Sequence, residues 1–253
     1  MKKQAALDPL VVATPLAAVT SDLVTGKAMD FLREKGMEHL KTLPTSRRDI
    51  RGEVQEKYDI DPGYAYVPRL SRGNAMFINR GDIKDYLRRN ADLDPKIKKK
   101  LVKGTGKHGL VVAGKGWKKP GIVEHEFGHA IAQHKGTPLE KLVHKPWVED
   151  YGRYYHTIPS HLIGGTAGRL RGAGAGVLAG GLAGLLLGMP SIYREMVADK
   201  YGEELASEAD RKKIKNWPFL GSYIAQAALP AAATGGVVGG ASQLLKLLRK
   251  VRK

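Results

Sequence analysis

Residues 121–134 read GIVEHEFGHAIAQH, and this stretch decides the fold around it. Its middle, His125-Glu126-Phe127-Gly128-His129, is an H-E-x-x-H pattern. Residues four apart stand one turn apart on the same face of a helix, so both imidazoles reach a single ion. Glu126 points to the neighbouring side, within reach of a water on that ion. Zinc lowers the pKa of such a water to about 7, and a carboxylate takes its proton as the water attacks a carbonyl. The same carboxylate then carries the proton to the leaving amine. Ile122 and Val123 precede the pattern, Ala130 and Ile131 follow it, and neither proline nor charge falls at its inner positions. An uninterrupted helix with a buried back face is therefore expected here.

A catalytic zinc uses three protein groups and a water. The chain has no cysteine, so the third group is a histidine or a carboxylate. A histidine six residues past His129 would make a metzincin, but position 135 is Lys135, and His134 comes one residue early. The other option is a carboxylate on a later helix. Ser191–Ser207 reads as such a helix, with Pro190 and Ser191 at its start. Glu195 and Asp199 stand one turn apart on it. Glu195 is expected to bind the ion, and Asp199 to accept the remaining N–H of a ligand histidine. Without an ion the two are a plain acidic pair on a charged helix, and Glu203, Glu204 and Glu208 are further carboxylates on a more polar turn. His108, His144, His156 and His161 are lone histidines, which are more often surface or core residues than ligands.

IVEHEFGHAI at 122–131, followed by REMVAD at 194–199, resembles the gluzincin metallopeptidases. It is most similar to their membrane-associated branch of CAAX prenyl endopeptidases and heat-shock membrane proteases. That branch carries H-E-x-x-H, then E-x-x-A-D on a later helix, with membrane segments in the chain. The resemblance covers roughly residues 109–205. It implies peptide hydrolysis with Zn2+ as cofactor, His125, His129 and Glu195 as ligands, Glu126 as base, and a peptide or protein substrate. It also implies that the strand near Gly109–Ala113 is a sheet edge to which substrate adds as an extra strand. Residues 1–100 depart from the family, and no histidine beyond Glu195 stands ready to stabilise an oxyanion. Tyr193, Tyr201 and His161 are the candidates for that role.

Glycine recurs every fourth residue from Gly164 to Gly188, a glycine zipper that on a helix lines up along one side. Each helical glycine costs about 1 kcal/mol against alanine, so seven in register need a close-packed partner. The C-terminal segment repeats the period twice, at Ala227, Ala231, Gly235 and Gly239, and at Ala228, Ala232, Gly236 and Gly240. The two segments are expected to pack together, and the same seam suits a homo-oligomer. No charge falls in 172–190 or 217–245, lengths that suit a bilayer core. Arg169 and Arg171 flank the first, and Lys246, Arg249, Lys250, Arg252 and Lys253 the second, as basic anchors would. A hairpin leaving and re-entering on one side fits these flanks. Pro230 is expected to break the second segment.

The 253 residues carry a formal charge of +17, which points to a polyanion: an anionic membrane, or nucleic acid on charge alone. No zinc-finger spacing or RNP signature supports the latter. Residues 64–79 read as a hairpin turning at Ser71–Asn74, Asp94-Pro95 opens a basic helix, and Gly109–Ala113 is a short strand. Met-Lys-Lys and the apolar run Leu10–Val19 look like a signal peptide, but Asp8, Pro9 and Pro15 interrupt it, so it reads as uncleaved. The expected class is α+β: a mostly helical zincin-like domain with a small sheet and a glycine-repeat helical hairpin suited to membrane insertion. Its segments are a helical region 1–60, with a helix over Asp22–Leu43; the sheet and active-site helix at 61–160; the glycine-repeat helix at 161–190; the Glu-ligand helix at 191–213; and an apolar helix with basic tail at 214–253. The function expected is a membrane-associated zinc endopeptidase. The alternative is a structural or membrane-penetrating protein, such as a viral or phage virion component, whose peptidase fold is secondary.

Overall fold

A computed structural model of the chain describes residues 26–27, 31, 49–67, 75–114, 121–151, 157–211 and 217–251. Its elements are α1 (Ile50–Tyr58), β1 (Gly63–Tyr66), β2 (Met76–Ile78), α2 (Ile83–Arg89), α3 (Pro95–Gly104), β3 (Leu110–Ala113), α4 (Ile122–Lys135), α5 (Pro138–Val143), α6 (Pro146–Asp150), α7 (Thr157–Arg171), α8 (Ala173–Leu205), α9 (Glu208–Arg211) and α10 (Trp217–Val251). The fold is mostly helical with one small three-stranded sheet, α+β at that level. It divides into two compact units, one of Lys35–Lys145 and Tyr193–Asn216, the other of Met1–Glu34, Pro146–Ile192 and Trp217–Lys253. Of the helix expected over Asp22–Leu43, only Gly26, Lys27 and Phe31 lie among the described residues, and each is helical. The apolar run Leu10–Val19, the turn Ser71–Asn74, His156, Arg252 and Lys253 lie outside them.

The first unit is built on β3. Leu110, Val111, Val112 and Ala113 are all fully buried, as befits a strand covered on both faces. Val111 and Ala113 face one cluster with Val123, Phe127, Ala130 and Ile131 of α4, and Ile50 and Val54 of α1. Leu110 and Val112 face the other, with Ile83 of α2 and Leu101 of α3. Each such valine, leucine, isoleucine or phenylalanine stabilises the fold by about 1.5–3 kcal/mol on burial. The strand order is β1-β3-β2, with β1 parallel and β2 antiparallel to β3. This corrects two expectations. Residues 64–79 supply two strands but not a hairpin, because β3 pairs between them. Gly109–Ala113 is therefore the centre of the sheet and not an edge, and the edges are β1 and β2.

The second unit is a glycine-seamed bundle. The repeat is not one helix over 161–190. Gly172, with φ +97°, ends α7 and opens α8, a conformation that glycine adopts without strain. Its N–H still closes α7 onto the Gly168 carbonyl at 2.9 Å. Both halves of the zipper then meet α10. A Cβ at Gly164, Gly168, Gly176, Gly180 or Gly184 would run into the α10 backbone at Ala227, Ala231 or Gly235. Of the two C-terminal registers it is thus the one through Ala227, Ala231, Gly235 and Gly239 that packs. The seam offered to a second copy is filled by the chain's own α10. Gly172 lies beside Gln243, and Ser242 Oγ donates to the Arg169 carbonyl at 3.3 Å, so both basic flanks share one end, as expected.

Prolines do not cut these helices. α10 runs on through Pro230, and α8 runs through Pro190, so the second half of the zipper and the Glu-ligand segment are one helix. Packing of the flanking turns outweighs the roughly 3 kcal/mol that an interior proline costs. Two helical stretches, Ala173–Leu205 and Tyr223–Leu244, are long and apolar enough to cross a membrane.

Candidate metal centre

Within the first unit, α4 carries His125, Glu126 and His129, and Tyr193–Leu205 of α8 carries Glu195 and Asp199. α4 starts at Gly121, whose N–H donates to the Glu124 carboxylate at 2.8 Å. The two helices cross unusually close. A Cβ on Gly128 would stand 2.9 Å from the Ala198 carbonyl carbon, and one on Gly202 would stand 3.0 Å from His125 Cα. The small residues of the two motifs thus have a shared purpose: Gly128 and Ala198 let the backbones meet, and this brings the acid of one helix to the histidines of the other.

Glu195 Oε2 lies 3.2 Å from His125 Nε2 and 3.4 Å from His129 Nε2. The donor atoms of the three residues all fall within 4.8 Å of one another, a group that could hold a metal ion. A tetrahedral ion with donors at about 2.0–2.1 Å sets donor–donor separations of about 3.3–3.4 Å. Both distances to Glu195 match that span, so the donors fit a small divalent cation. Asp199 Oδ1 sits 2.7 Å from His125 Nδ1, where it accepts the ring N–H and leaves Nε2 for a metal. The structure thus brings together every residue that the sequence assigns to the ion: His125, His129 and Glu195, with Asp199 behind.

The electrostatics differ between the two rings. Burial holds the His129 ring down at about 3, so it is neutral, the form that donates to a metal. Burial also works against a charged His125, but hydrogen bonds to Asp199 and Glu195 outweigh it and hold this ring well above the usual imidazole range. Burial pushes the Glu126 carboxyl up to about 7, with Glu195 adding to the rise, while His125 and the Phe77 N–H of β2 oppose it. A carboxyl poised near neutrality both takes and returns a proton.

Tyr201 Oη donates to Glu140 Oε2 at 3.1 Å, and Tyr193 is half-buried on α8 two residues before Glu195. His161 is in the other unit, where its Nδ1 meets Thr234 Oγ1 at 2.6 Å. Glu204 accepts the Tyr58 hydroxyl at 2.7 Å, and Glu203 and Glu208 are exposed. The sequence passes over His144. Its Nε2 lies 3.1 Å from His129 Nδ1, and its Nδ1 lies 2.7 Å from the Glu140 carbonyl. No motif marks it; the one signal is that it closes a short helix headed by Thr137-Pro138, a strong start that fixes the turns after it. Compared with known protein families, curated proteins and solved structures, the chain matches none, and the reading of the site rests on its own geometry.

Proposed function

We propose that this chain is a membrane-associated, zinc-dependent endopeptidase of the gluzincin type. The observation that carries the reading is the convergence of His125, His129 and Glu195, with Glu126 beside them and Asp199 behind. When bound, zinc supplies Lewis acidity, acidifying water and polarising a carbonyl. The chain's own residues do the rest. Glu126 takes a proton from water at its carboxylate and returns it to the leaving nitrogen. Asp199 holds His125 in the orientation that turns Nε2 inward. Two histidines and a carboxylate also suit non-haem iron, but a base beside the donors favours hydrolysis. The edge strand β2 supports a peptide substrate, since Phe77 of β2 packs against the cluster that holds Phe127 of α4 and an extended peptide adds naturally to a sheet edge.

Membrane association is supported by the outward face of the glycine-seamed unit. Its helix-crossing seam is glycine and alanine, while Leu178, Leu182 and Leu186 on α8 are 68%, 60% and 70% exposed. This inverts the usual soluble pattern and suits helices whose surroundings are acyl chains. The same feature favours the second reading, a membrane-penetrating structural protein. Glu126→Gln separates the two. Under the enzyme reading the variant keeps its zinc and loses cleavage of an unfolded protein such as casein. Equal cleavage by wild type and variant removes Glu126 as the base, and no cleavage by either with zinc bound removes the enzyme reading and leaves the structural one.

A further inference from the structure

We infer that His144 is a positioning residue that selects the metal-binding tautomer of His129; this rests on the zinc-centre reading above. The chain of hydrogen bonds begins at a backbone carbonyl. The oxygen of Glu140 only accepts hydrogen bonds, so His144 Nδ1, 2.7 Å away, must carry a hydrogen. With that hydrogen on Nδ1, an uncharged His144 has its lone pair on Nε2. His129 Nδ1, 3.1 Å from that lone pair, must be the donor. A neutral His129 with its hydrogen on Nδ1 has its only lone pair on Nε2, the atom that faces Glu195 Oε2 at 3.4 Å.

Something has to make this choice, because Glu195 pulls the other way. Without a metal its carboxylate would accept a hydrogen bond from an Nε2–H, and a His129 in that tautomer could not bind metal through Nε2. On His125 a carboxylate holds the Nδ1 side, with Asp199 Oδ1 2.7 Å away. His129 has no carboxylate on its Nδ1 side among the described residues; the partner there is His144. Both rings are buried, at 5% and 6% exposure, so water is a poor substitute acceptor.

The carbonyl at the head of this chain is itself clamped. The Glu140 side chain accepts the Thr137 N–H at 2.7 Å, the Tyr201 hydroxyl at 3.1 Å and Lys200 Nζ at 3.3 Å. Lys200 and Tyr201 directly follow Asp199 on α8. One buried carboxylate thus ties α5, which presents His144, to the helix that presents Glu195 and Asp199.

The test uses the full chain with 15N-labelled histidine, reading ring tautomers from long-range proton–nitrogen correlations and zinc affinity from chelator competition. Metal-free wild type should show His129 with its hydrogen on Nδ1. His144→Gln keeps an acceptor near the Nε2 position and should retain both the tautomer and the affinity. His144→Leu should move the hydrogen to Nε2 and weaken zinc about 10–100-fold, the usual effect of losing an outer-shell partner. An Nε2–H His129 in the wild type overturns the inference, as does His144→Leu binding zinc like the wild type. If the wild type binds no zinc, the metal-centre reading fails, while the tautomer of its His129 still decides the role of His144.

Discussion

Gly128→Ala tests whether the close crossing of α4 and α8 builds the site. Gly128 lies inside α4, and helix propensity alone favours alanine by about 1 kcal/mol. The tertiary contact opposes it. The added Cβ would stand 2.9 Å from the Ala198 carbonyl carbon and 3.1 Å from its Cα, and nearer still to the oxygen. Carbon atoms settle at about 3.5–4.0 Å, so α4 and α8 must part by roughly 0.5–1 Å. Overpacking of this kind costs about 1–3 kcal/mol, enough to cancel or reverse the propensity gain. The metal feels it more. Donor positions tolerate about 0.2 Å, and His125 and His129 ride on one helix while Glu195 rides on the other. We expect zinc affinity to fall about 10–100-fold with a melting temperature level with or below that of wild type. Gly221→Ala in α10, where a Cβ meets nothing within 4 Å, is the control and should leave zinc untouched while gaining up to about 1 kcal/mol. Chelator competition and thermal melts read both quantities. A Gly128→Ala chain that binds zinc like wild type and melts higher would refute the close crossing as the device that builds the site.

Other substitutions probe the remaining contacts. Asp199→Ala removes the acceptor from His125 Nδ1 and should weaken zinc about 10–100-fold by chelator competition; unchanged affinity would mean that the 2.7 Å contact orients nothing. Leu182→Glu places a charge on an exposed face, where a soluble bundle would change by no more than about 0.5 kcal/mol, but in a bilayer-embedded helix it costs roughly 2.5–3.5 kcal/mol. Flotation with anionic liposomes should show binding by wild type and clear loss in the variant; equal flotation places that face outside the bilayer. His161→Leu and Thr234→Val should each destabilise the second unit, and a double-mutant cycle in thermal unfolding should give a coupling of about 0.6–1.7 kcal/mol for their 2.6 Å contact. Zero coupling would reduce that pair to coincidental neighbours.

Much of the site is legible in the sequence because its parts obey local periodicities. His125 and His129 are one turn apart, and so are Glu195 and Asp199; each pair needs only a helix to acquire its geometry. The zipper and its α10 partner are legible for the same reason, although which of the two C-terminal registers packs emerges only from the crossing. What escapes is non-local. Ser71–Asn74 reads as a hairpin turn, yet β1 and β2 each pair with β3, some thirty residues or more downstream. A run such as Leu110–Ala113, apolar at every position, is the mark of a strand buried on both faces, and read that way it belongs at the centre of the sheet. The break at Gly172 is hidden because the four-residue period continues across it, and a positive φ leaves no trace in composition. His144 escapes because its partner lies on another helix and its value depends on a backbone carbonyl.

The central claim is that two imidazoles of α4 and one carboxylate of α8 hold a single zinc ion, and elemental analysis of the purified full chain tests it most directly. We predict one zinc per chain in wild type and near-total loss in Glu195→Ala, with helical content preserved. A wild-type chain without zinc after purification and zinc exposure, or a Glu195→Ala chain that keeps its full complement, would contradict it.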